Sequence, residues 1–320
     1  MSTQPQIERA QIHVRPMQES DLVAARSIFR RAFGTFLGAP DPETFWSDRE
    51  YIFTRWRCNP DNALITEVDG RIAGSNFVSN WGSFGFFGPL TVRPDLWDHG
   101  IGTALLAETI KLFEKAGVQE AGLFTFPHSS KHIGLYQKFG FWPRFLTAIM
   151  SREPENRQVS WLGYSSLSES QRAEILAACR DLTDSLYEGL DVTSEIRSVA
   201  AQNLGETVLL WNGGVLEAFA VCHCGAGTEA GDGTCYIKFG AVRPGPRSKD
   251  HFAFLLSACE ALALQRGLHR MEAGVNLNRS QAYRHLLQHG YRTQLQGVAM
   301  HRPDTPSYNR PENFILDDWR

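Results

Sequence analysis

The chain has 320 residues, a formal net charge of -3 and an apolar fraction of 42%, ordinary values for two medium-sized globular domains. Because no block of basic residues is present, this charge argues against a nucleic-acid-binding surface or a stripe for anionic membranes, and small molecules or peptides are the expected partners. Residues 1–11 are polar, and no run approaches about 18 apolar residues. The sequence therefore predicts no signal peptide, no membrane span and a cytoplasmic location.

The six cysteines are expected to be reduced thiols, since a chain without a secretion signal does not favour a disulfide framework. Cys222 and Cys224 flank His223, which invites comparison with a metal site. Alternate residues of a strand face opposite sides, however, and no second cysteine pair completes a tetrahedron. We therefore predict no metal.

The first 92 residues predict strands around one helix. Residues 12–15 alternate like a strand, and Ser20-Asp21 begins an apolar helical pattern that Gly34 is predicted to end. Residues 35–62 mix aromatic and charged side chains and are open to two interpretations: an acceptor-binding region, or a helix with an aromatic core face and a solvated face. Two strands, 63–68 and 71–79, follow as a hairpin turning at Asp69-Gly70, and residues 84–92 are the next strand.

A strand, turn and helix start are predicted within residues 90–103. Pro94 ends the strand, and Gly100 and Gly102 open the apolar helix 103–115, which stops at Gly117. Unpaired amides at a helix N-terminus favour an anion such as a pyrophosphate. No lysine follows Gly102, as a P-loop requires, and the third glycine of a dinucleotide fingerprint is missing. The helix leads to a buried strand, 122–126, predicted to be parallel to its predecessor.

A second motif lies on a short helix, 132–139, that Gly140 ends before a return strand reaches Met150. Residues 134–141 read Gly-Leu-Tyr-Gln-Lys-Phe-Gly-Phe. This resembles the Leu-Tyr-x-x-x-Gly-Phe of the GNAT acetyltransferase superfamily. The first motif resembles that superfamily's strand followed by Gln/Arg-x-x-Gly-x-Gly/Ala, with Trp97 where Gln or Arg usually stands.

The resemblance implies acetyl-CoA as cosubstrate. Backbone groups of Leu90 and Val92 would hold pantetheine and the acyl carbonyl, while Thr91 would face the other way. The amides of His99, Gly100, Ile101, Gly102 and Thr103 would hold the pyrophosphate. Ser129 stands where an asparagine is common and would donate a hydrogen bond to pantetheine.

Tyr136 matches the superfamily's general acid, which protonates the departing thiolate, although an aromatic core residue is the alternative. His132 lies four residues earlier on the same helix face and would orient Tyr136, unless it is an exposed or capping histidine. The general base is not assigned, and a water chain or an acid from residues 41–50 would serve. Aromatic residues also hint at a partly apolar acceptor pocket but could equally be core: Phe36, Trp46, Trp81 and Phe84.

The chain repeats itself at an offset of 150 residues, which superimposes Val92-Arg93-Pro94 on Val242-Arg243-Pro244. It therefore resembles tandem GNAT proteins. The implied fold class is α/β (α+β), with two GNAT folds, each a mixed central sheet flanked by helices with a V-shaped cofactor cleft between parallel strands. The predicted division is a catalytic domain at 1–150, a linker at 151–160, a degenerate domain at 161–303 and a tail at 304–320. The tail is expected to dock either on one of the domains or on the second subunit of a homodimer.

The second copy lacks the features that suit a cofactor. Asp250 and Phe252 replace the two glycines, and Leu286 replaces Tyr136. A carboxylate there repels pyrophosphate and an aromatic ring fills space, so we favour a packing role, unless Arg247 and Lys249 rescue phosphate binding.

The leading hypothesis for the whole chain is an acyl-CoA-dependent N-acetyltransferase acting on a small-molecule or peptide amine. The alternatives are a non-catalytic acyl-CoA sensor and a structural tandem without ligand.

Overall fold

The computed structural model describes residues 12–157 and 159–320; the polar segment 1–11 lies outside the described residues. The strands are β1 (Ile12–Pro16), β2 (Ala63–Val68), β3 (Arg71–Trp81), β4 (Phe84–Phe87), β5 (Thr91–Val92), β6 (Glu120–Thr125), β7 (Trp142–Arg152), β8 (Leu162–Gly163), β9 (Gly205–Asn212), β10 (Val215–Cys224), β11 (Thr234–Val242), β12 (Arg270–Asn276), β13 (Arg292–Arg302) and β14 (Ile315–Leu316). The helices are α1 (Leu22–Phe36), α2 (Ile52–Cys58), α3 (Ile101–Ala116), α4 (Ser130–Gln137), α5 (Glu169–Leu186), α6 (Thr193–Gln202), α7 (Ser248–Gln265) and α8 (Ser280–Gln288).

All the strands join one mixed sheet, in which the two halves of the chain exchange their last strands. Strand β13 of the second half lies between β6 and β7 of the first half, and β7 in turn pairs with β12 of the second half. Strands β7 and β13 are also equivalent in the sequence repeat, since their bounds differ by 150 residues. Each half therefore completes the sheet of the other, and separating the halves would leave β7 and β13 without a partner strand.

The predicted parallel pairing is confirmed in the first half, where β4 pairs with β6 from Phe84 opposite Glu120 to Phe86 opposite Gly122. The second half repeats this arrangement with β11 and β12. The connecting helix α3 buries Leu105, Leu106 and Phe113 at helical spacing, as its apolar pattern predicts. It ends at Gly117, whose φ of +70° closes the last turn.

Two predicted elements are wrong in detail. Helix α1 continues through Gly34 to Phe36, and a Cβ at Gly34 would lie 2.6 Å from the Cα of Pro42, so this glycine admits the following chain rather than ending the helix. The predicted strand 84–92 is split into β4 and β5, and the chain leaves the sheet at residues 88–90. This break opens the space in which the predicted site lies.

Buried charges join the two halves. Arg55 on α2 donates from Nε and Nη2 to the carboxylate of Glu229, at 2.8 and 2.9 Å, and Glu229 is 0% exposed. Lys238 donates to Glu229 at 2.9 Å and lies 3.2 Å from Glu195. Although burial alone would raise the pKa of Glu229, Arg55 and Lys238 hold it well below its usual range. Glu229 is therefore ionised, and its charge is compensated inside the interface.

His223 on β10 should make the stability of the protein depend on pH. Burial, and secondarily Lys238, lowers the pKa of His223 from 6.5 to about 4. As the pH falls below 6.5, the unfolded chain takes up a proton that the folded protein refuses, until the folded state also protonates near pH 4. We expect the free energy of unfolding to fall by about 1.4 kcal/mol per pH unit on this account. Urea denaturation between pH 6 and pH 5 should show a shallower pH dependence in His223→Gln, and equal slopes would contradict the assignment.

The tail docks on the chain itself, one of the two predicted locations. Strand β14 pairs antiparallel with β11, with Leu316 opposite Gly240. The ring of Trp319 packs 4.9 Å from that of Phe84 and takes the space where a side chain on Gly122 would lie. Over the described ranges, no helix has the length and apolar character needed to cross a bilayer.

Candidate functional site

A cleft of about 1010 Å³ opens where β4 and β6 diverge beyond Phe86 and Gly122. Residues 87–92 form one wall and residues 123–126 the other, and the loop before α3, helix α4, helix α1 and the tail close it. His99 is absent from the described lining, and its ring Nδ1 lies 2.8 Å from the carbonyl oxygen of Trp97. The other predicted site residues all line the cleft: Leu90, Val92, Gly100, Ile101, Gly102, Thr103, Ser129, His132 and Tyr136.

The N-terminus of α3 presents free amides to one end of this cleft. Gly100 caps the helix with φ +84°, a left-handed conformation that favours glycine. Among the described residues, no protein acceptor pairs with the amides of residues 99–103. A Cβ on Gly102 would lie 3.3 Å from Cδ2 of Leu135 on α4, so its absence widens the gap between the two helices. These features fit a phosphate-bearing ligand entering between α3 and α4.

Trp97, which departs from the expected motif, has a structural role. Its indole Nε1 donates to the carbonyl of Val92 at 2.8 Å, so one lone pair of a predicted pantetheine acceptor is already used. The hydroxyl of Thr91, which is predicted to face the other way, lies 2.9 Å from that of Ser75. Lys131 lies over the ring of Trp97 and contacts Asp98 at 2.7 Å. Sequence reasoning missed Lys131 and Lys138, because isolated exposed lysines give no local signal, yet both line the cleft.

Tyr136 is held inside the cleft in its protonated form. The residue is 8% exposed, and its ring packs 5.7 Å from that of Phe87 where the two strands separate. Burial raises the pKa of Tyr136 to about 12, and a hydrogen bond with Thr125 offsets part of the rise. At neutral pH the hydroxyl therefore keeps a proton that it can donate into the cleft.

Ser129 and His132 begin helix α4 beside Tyr136. The Ser129 hydroxyl caps the helix by accepting from the amide of His132 at 3.4 Å, which leaves its own proton to donate. His132 is half-buried, and its ring centroid lies 4.9 Å from that of Phe36. Burial, then the charge of Lys131, lowers the pKa of His132, so its imidazole is mainly neutral at pH 7.

The four aromatic residues that hinted at an acceptor pocket divide evenly between the cleft and the core. Phe36 and Trp46 line the cleft, whereas Trp81 and Phe84 are 1% and 0% exposed and pack in the core that the halves share. The pattern of apolar and polar residues in the sequence does not distinguish the two cleft residues from the two core residues. The end of the tail helps to close the cleft, because Trp319 and Arg320 line it. Sequence reasoning also missed this contribution.

In the second half, the chain itself fills the place of the cleft. Gly240 and Val242 stand where Leu90 and Val92 stand in the first half. The amide of Val242 donates to the carbonyl of Phe314 at 3.1 Å, and Gly240 pairs with Leu316 in β14. Phe252, at the position of Gly102, is 0% exposed. In the second half, the tail therefore pairs with the strand positions equivalent to those that the resemblance assigns to pantetheine in the first half.

Comparison with known proteins agrees with this geometry. Residues 23–141 match the sequence profile of the family described as the acetyltransferase (GNAT) family. A Pyrococcus horikoshii protein classed as an acetyltransferase is similar over 98% of this chain and 96% of its own, with 15% identity and a TM-score of 0.68. A GCN5-related N-acetyltransferase from Sphaerobacter thermophilus is similar over 93% of this chain and 96% of its own, with 16% identity and a TM-score of 0.58.

A third similar structure is the glucosamine N-acetyltransferase region of a fungal multi-domain GH3 β-N-acetylglucosaminidase, at 13% identity and a TM-score of 0.63, over 91% of this chain and 38% of that one. No curated protein matches the chain in sequence. At these identities the structural likeness establishes the fold, and its coverage extends that fold over both halves.

Proposed function

From the premise that residues 23–141 form a domain of the GNAT acetyltransferase family, we propose that the first half binds acetyl-CoA and transfers its acetyl group to an amine of a small molecule or peptide. The supporting observation is one cleft that holds both the unpaired amides of residues 100–103 and the buried, protonated Tyr136. The division at residue 150 into a catalytic and a scaffolding domain belongs to this proposal. The tail strand in the second cleft supports it, because the same backbone groups cannot also bind a cofactor there.

The first half offers residues for cofactor binding and for protonation of the leaving sulfur, while the general base stays unassigned. The amides of residues 100–103 and the ammonium of Lys131 would hold the pyrophosphate, and backbone groups of Leu90 and Val92 would hold the pantetheine arm. Acetyl-CoA supplies an activated thioester. Tyr136 gives its proton to the departing sulfur, and His132, on the same helix face, orients the tyrosine.

Gly102→Val should weaken acetyl-CoA binding without unfolding the protein. The new side chain would extend from a Cβ position already 3.3 Å from Leu135 and 3.9 Å from Leu90, which narrows the entry between α3 and α4. We expect the Kd, measured by titration calorimetry, to rise about 10-fold, which is about 1.4 kcal/mol. Ala104→Val is the matched control, because it adds a branched side chain to the same helix outside the cleft lining. An unchanged Kd in Gly102→Val would remove the glycine from the proposed site.

Release of the CoA thiol tests the function directly. The protein is incubated with acetyl-CoA and pooled amines, amino acids and peptides, and a thiol reagent follows free CoA. We expect release above the rate without acceptor. Binding of CoA without release by any pool would instead favour an acyl-CoA sensor. Failure of acetyl-CoA to raise the Tm would favour a structural role, since a ligand that binds only the folded state must stabilise it.

A further inference from the structure

We infer that the acceptor of the proposed acetyl transfer is a primary amine carried on an aromatic body, and that Phe36 selects it. The inference rests on the proposed function and adds the chemical class of the second substrate. It is carried by the aromatic composition of one wall, by the charges around the cleft and by the position of that wall beside Tyr136.

Aromatic rings from α1, from the segment after it and from the residue after β6 form an aromatic wall of the cleft. Phe33, Phe36, Trp46 and Phe126 line the cleft and are half-buried, so part of each ring is open to it. They form packed groups: the centroid of Phe36 is 5.0 Å from that of Phe126, and that of Phe33 is 6.1 Å from that of Trp46. Such a wall gains most by covering its exposed ring faces with another flat apolar group.

The charges of the cleft disfavour a polycationic acceptor. Within the described lining, Asp98 is the single carboxylate, and Lys131 already pairs with it at 2.7 Å. Arg320 is paired with Glu272 at 2.7 Å, which leaves Lys138 as the one cation of the described lining without a carboxylate partner, and no acidic group of that lining is free to receive an ammonium. A polyamine or a lysine-rich peptide would bring several ammonium groups to this surface with no acidic partner, whereas a single amine on an aromatic body reaches the reacting carbon in its neutral form.

Phe36 connects the aromatic wall with the proton donor. Its ring contacts Phe126, which directly follows Thr125, the hydrogen-bonding neighbour of Tyr136. It also contacts His132, one helical turn before Tyr136. Because Phe36 and Tyr136 line the same cleft, an aromatic group resting on Phe36 would keep an attached amine in the cavity that contains the tyrosine.

The proposed acetyl transfer accounts for every bond and proton. The amine nitrogen forms a bond to the acyl carbon while the carbon–sulfur bond breaks, and the sulfur takes the proton of Tyr136. The nitrogen then releases one proton to water in the open cleft, and water returns a proton to Tyr136. The products are an N-acetyl amine and the free thiol of CoA.

Three acceptors and two variants test the inference. The acceptors are 2-phenylethylamine, ethylamine, which lacks the ring, and spermidine, which is polycationic. We expect kcat/KM for 2-phenylethylamine to exceed the other two values about 100-fold, and Phe36→Ala to lower it about 10-fold. Phe53→Ala is the matched control, because Phe53 is a half-buried ring of the same half that does not line the cleft. Its kcat/KM should stay within twofold of wild type.

Calorimetric binding of 2-phenylethylamine to the protein with CoA separates this inference from the proposed function. Binding that Phe36→Ala weakens about 10-fold, without any acetyl transfer, would support the aromatic site and overturn the transferase. Transfer to ethylamine or spermidine as efficient as transfer to 2-phenylethylamine would overturn the aromatic site and keep the transferase. No binding of 2-phenylethylamine, or a Phe36→Ala variant that binds and turns over like wild type, would also overturn the aromatic site.

Discussion

Replacing Tyr136 by phenylalanine is expected to lower kcat for acetyl transfer about 100-fold, with little change in the Kd of acetyl-CoA, since general-acid catalysis typically contributes 10²–10⁴-fold. The substitution keeps the ring packed against Phe87 and removes only the hydroxyl. Because the pKa of Tyr136 is raised to about 12, its deprotonation should not reduce the rate below about pH 11. Steady-state kinetics with any acceptor found in the screen would measure kcat and its pH dependence, and titration calorimetry would measure the Kd of acetyl-CoA.

Tyr283→Phe provides the comparison for this experiment. Tyr283 lies on α8 of the second half, only partly buried and outside the cleft lining, so kcat should stay at the wild-type value. If Tyr136→Phe also keeps the wild-type kcat, Tyr136 is a core aromatic residue and another group protonates the sulfur.

Replacing Glu229 by glutamine should destabilise the folded protein by about 3 kcal/mol, because breaking a buried ion pair from one side leaves an uncompensated charge. Glu229 is 0% exposed and accepts from both Arg55 and Lys238. Lys238 keeps Glu195, but Arg55 would lose its carboxylate partner. Urea denaturation at pH 7, followed by far-ultraviolet circular dichroism, would measure the loss.

A double variant distinguishes lost pairing from general disruption. Removing the cation as well, in Arg55→Met with Glu229→Gln, should cost less than the sum of the two single losses. Arg55 also donates to the carbonyl of Gly88 at 2.6 Å and to that of Arg320, two residues that line the cleft. Because either single variant disturbs Arg55, both should change the KM for the acceptor. A loss below about 0.5 kcal/mol in Glu229→Gln would show that the charge is solvated and not part of a buried pair.

Much of the first half could be predicted, because its signals are local. The turn at Asp69-Gly70 requires backbone conformations that these residues adopt readily, and it joins β2 to β3 as expected. The apolar spacing of α3, its glycine end and the cap before α4 depend on residues within one or two turns of each other. The two motifs therefore indicated the cleft, and most of the predicted site residues line it.

Other features depend on contacts that no local pattern contains. Gly34 looks like a helix end in the sequence, but its role depends on Pro42 folding back against it. Phe36 and Phe84 are equally apolar in the sequence, yet one lines the cleft and the other is buried beneath Trp319. Burial is decided by which element packs on which, and propensity does not encode that choice.

The sequence by itself determined the repeat, the glycine loop of the first copy and the loss of that loop in the second. Only the tertiary structure decided how the copies combine. Strands β7 and β13 occupy equivalent places in the repeat, so each could pair with its own half or with the other half, and the long-range packing selects the exchange. The same packing carries Arg320 to Arg55, across 265 residues, and so closes the first cleft with the end of the second copy.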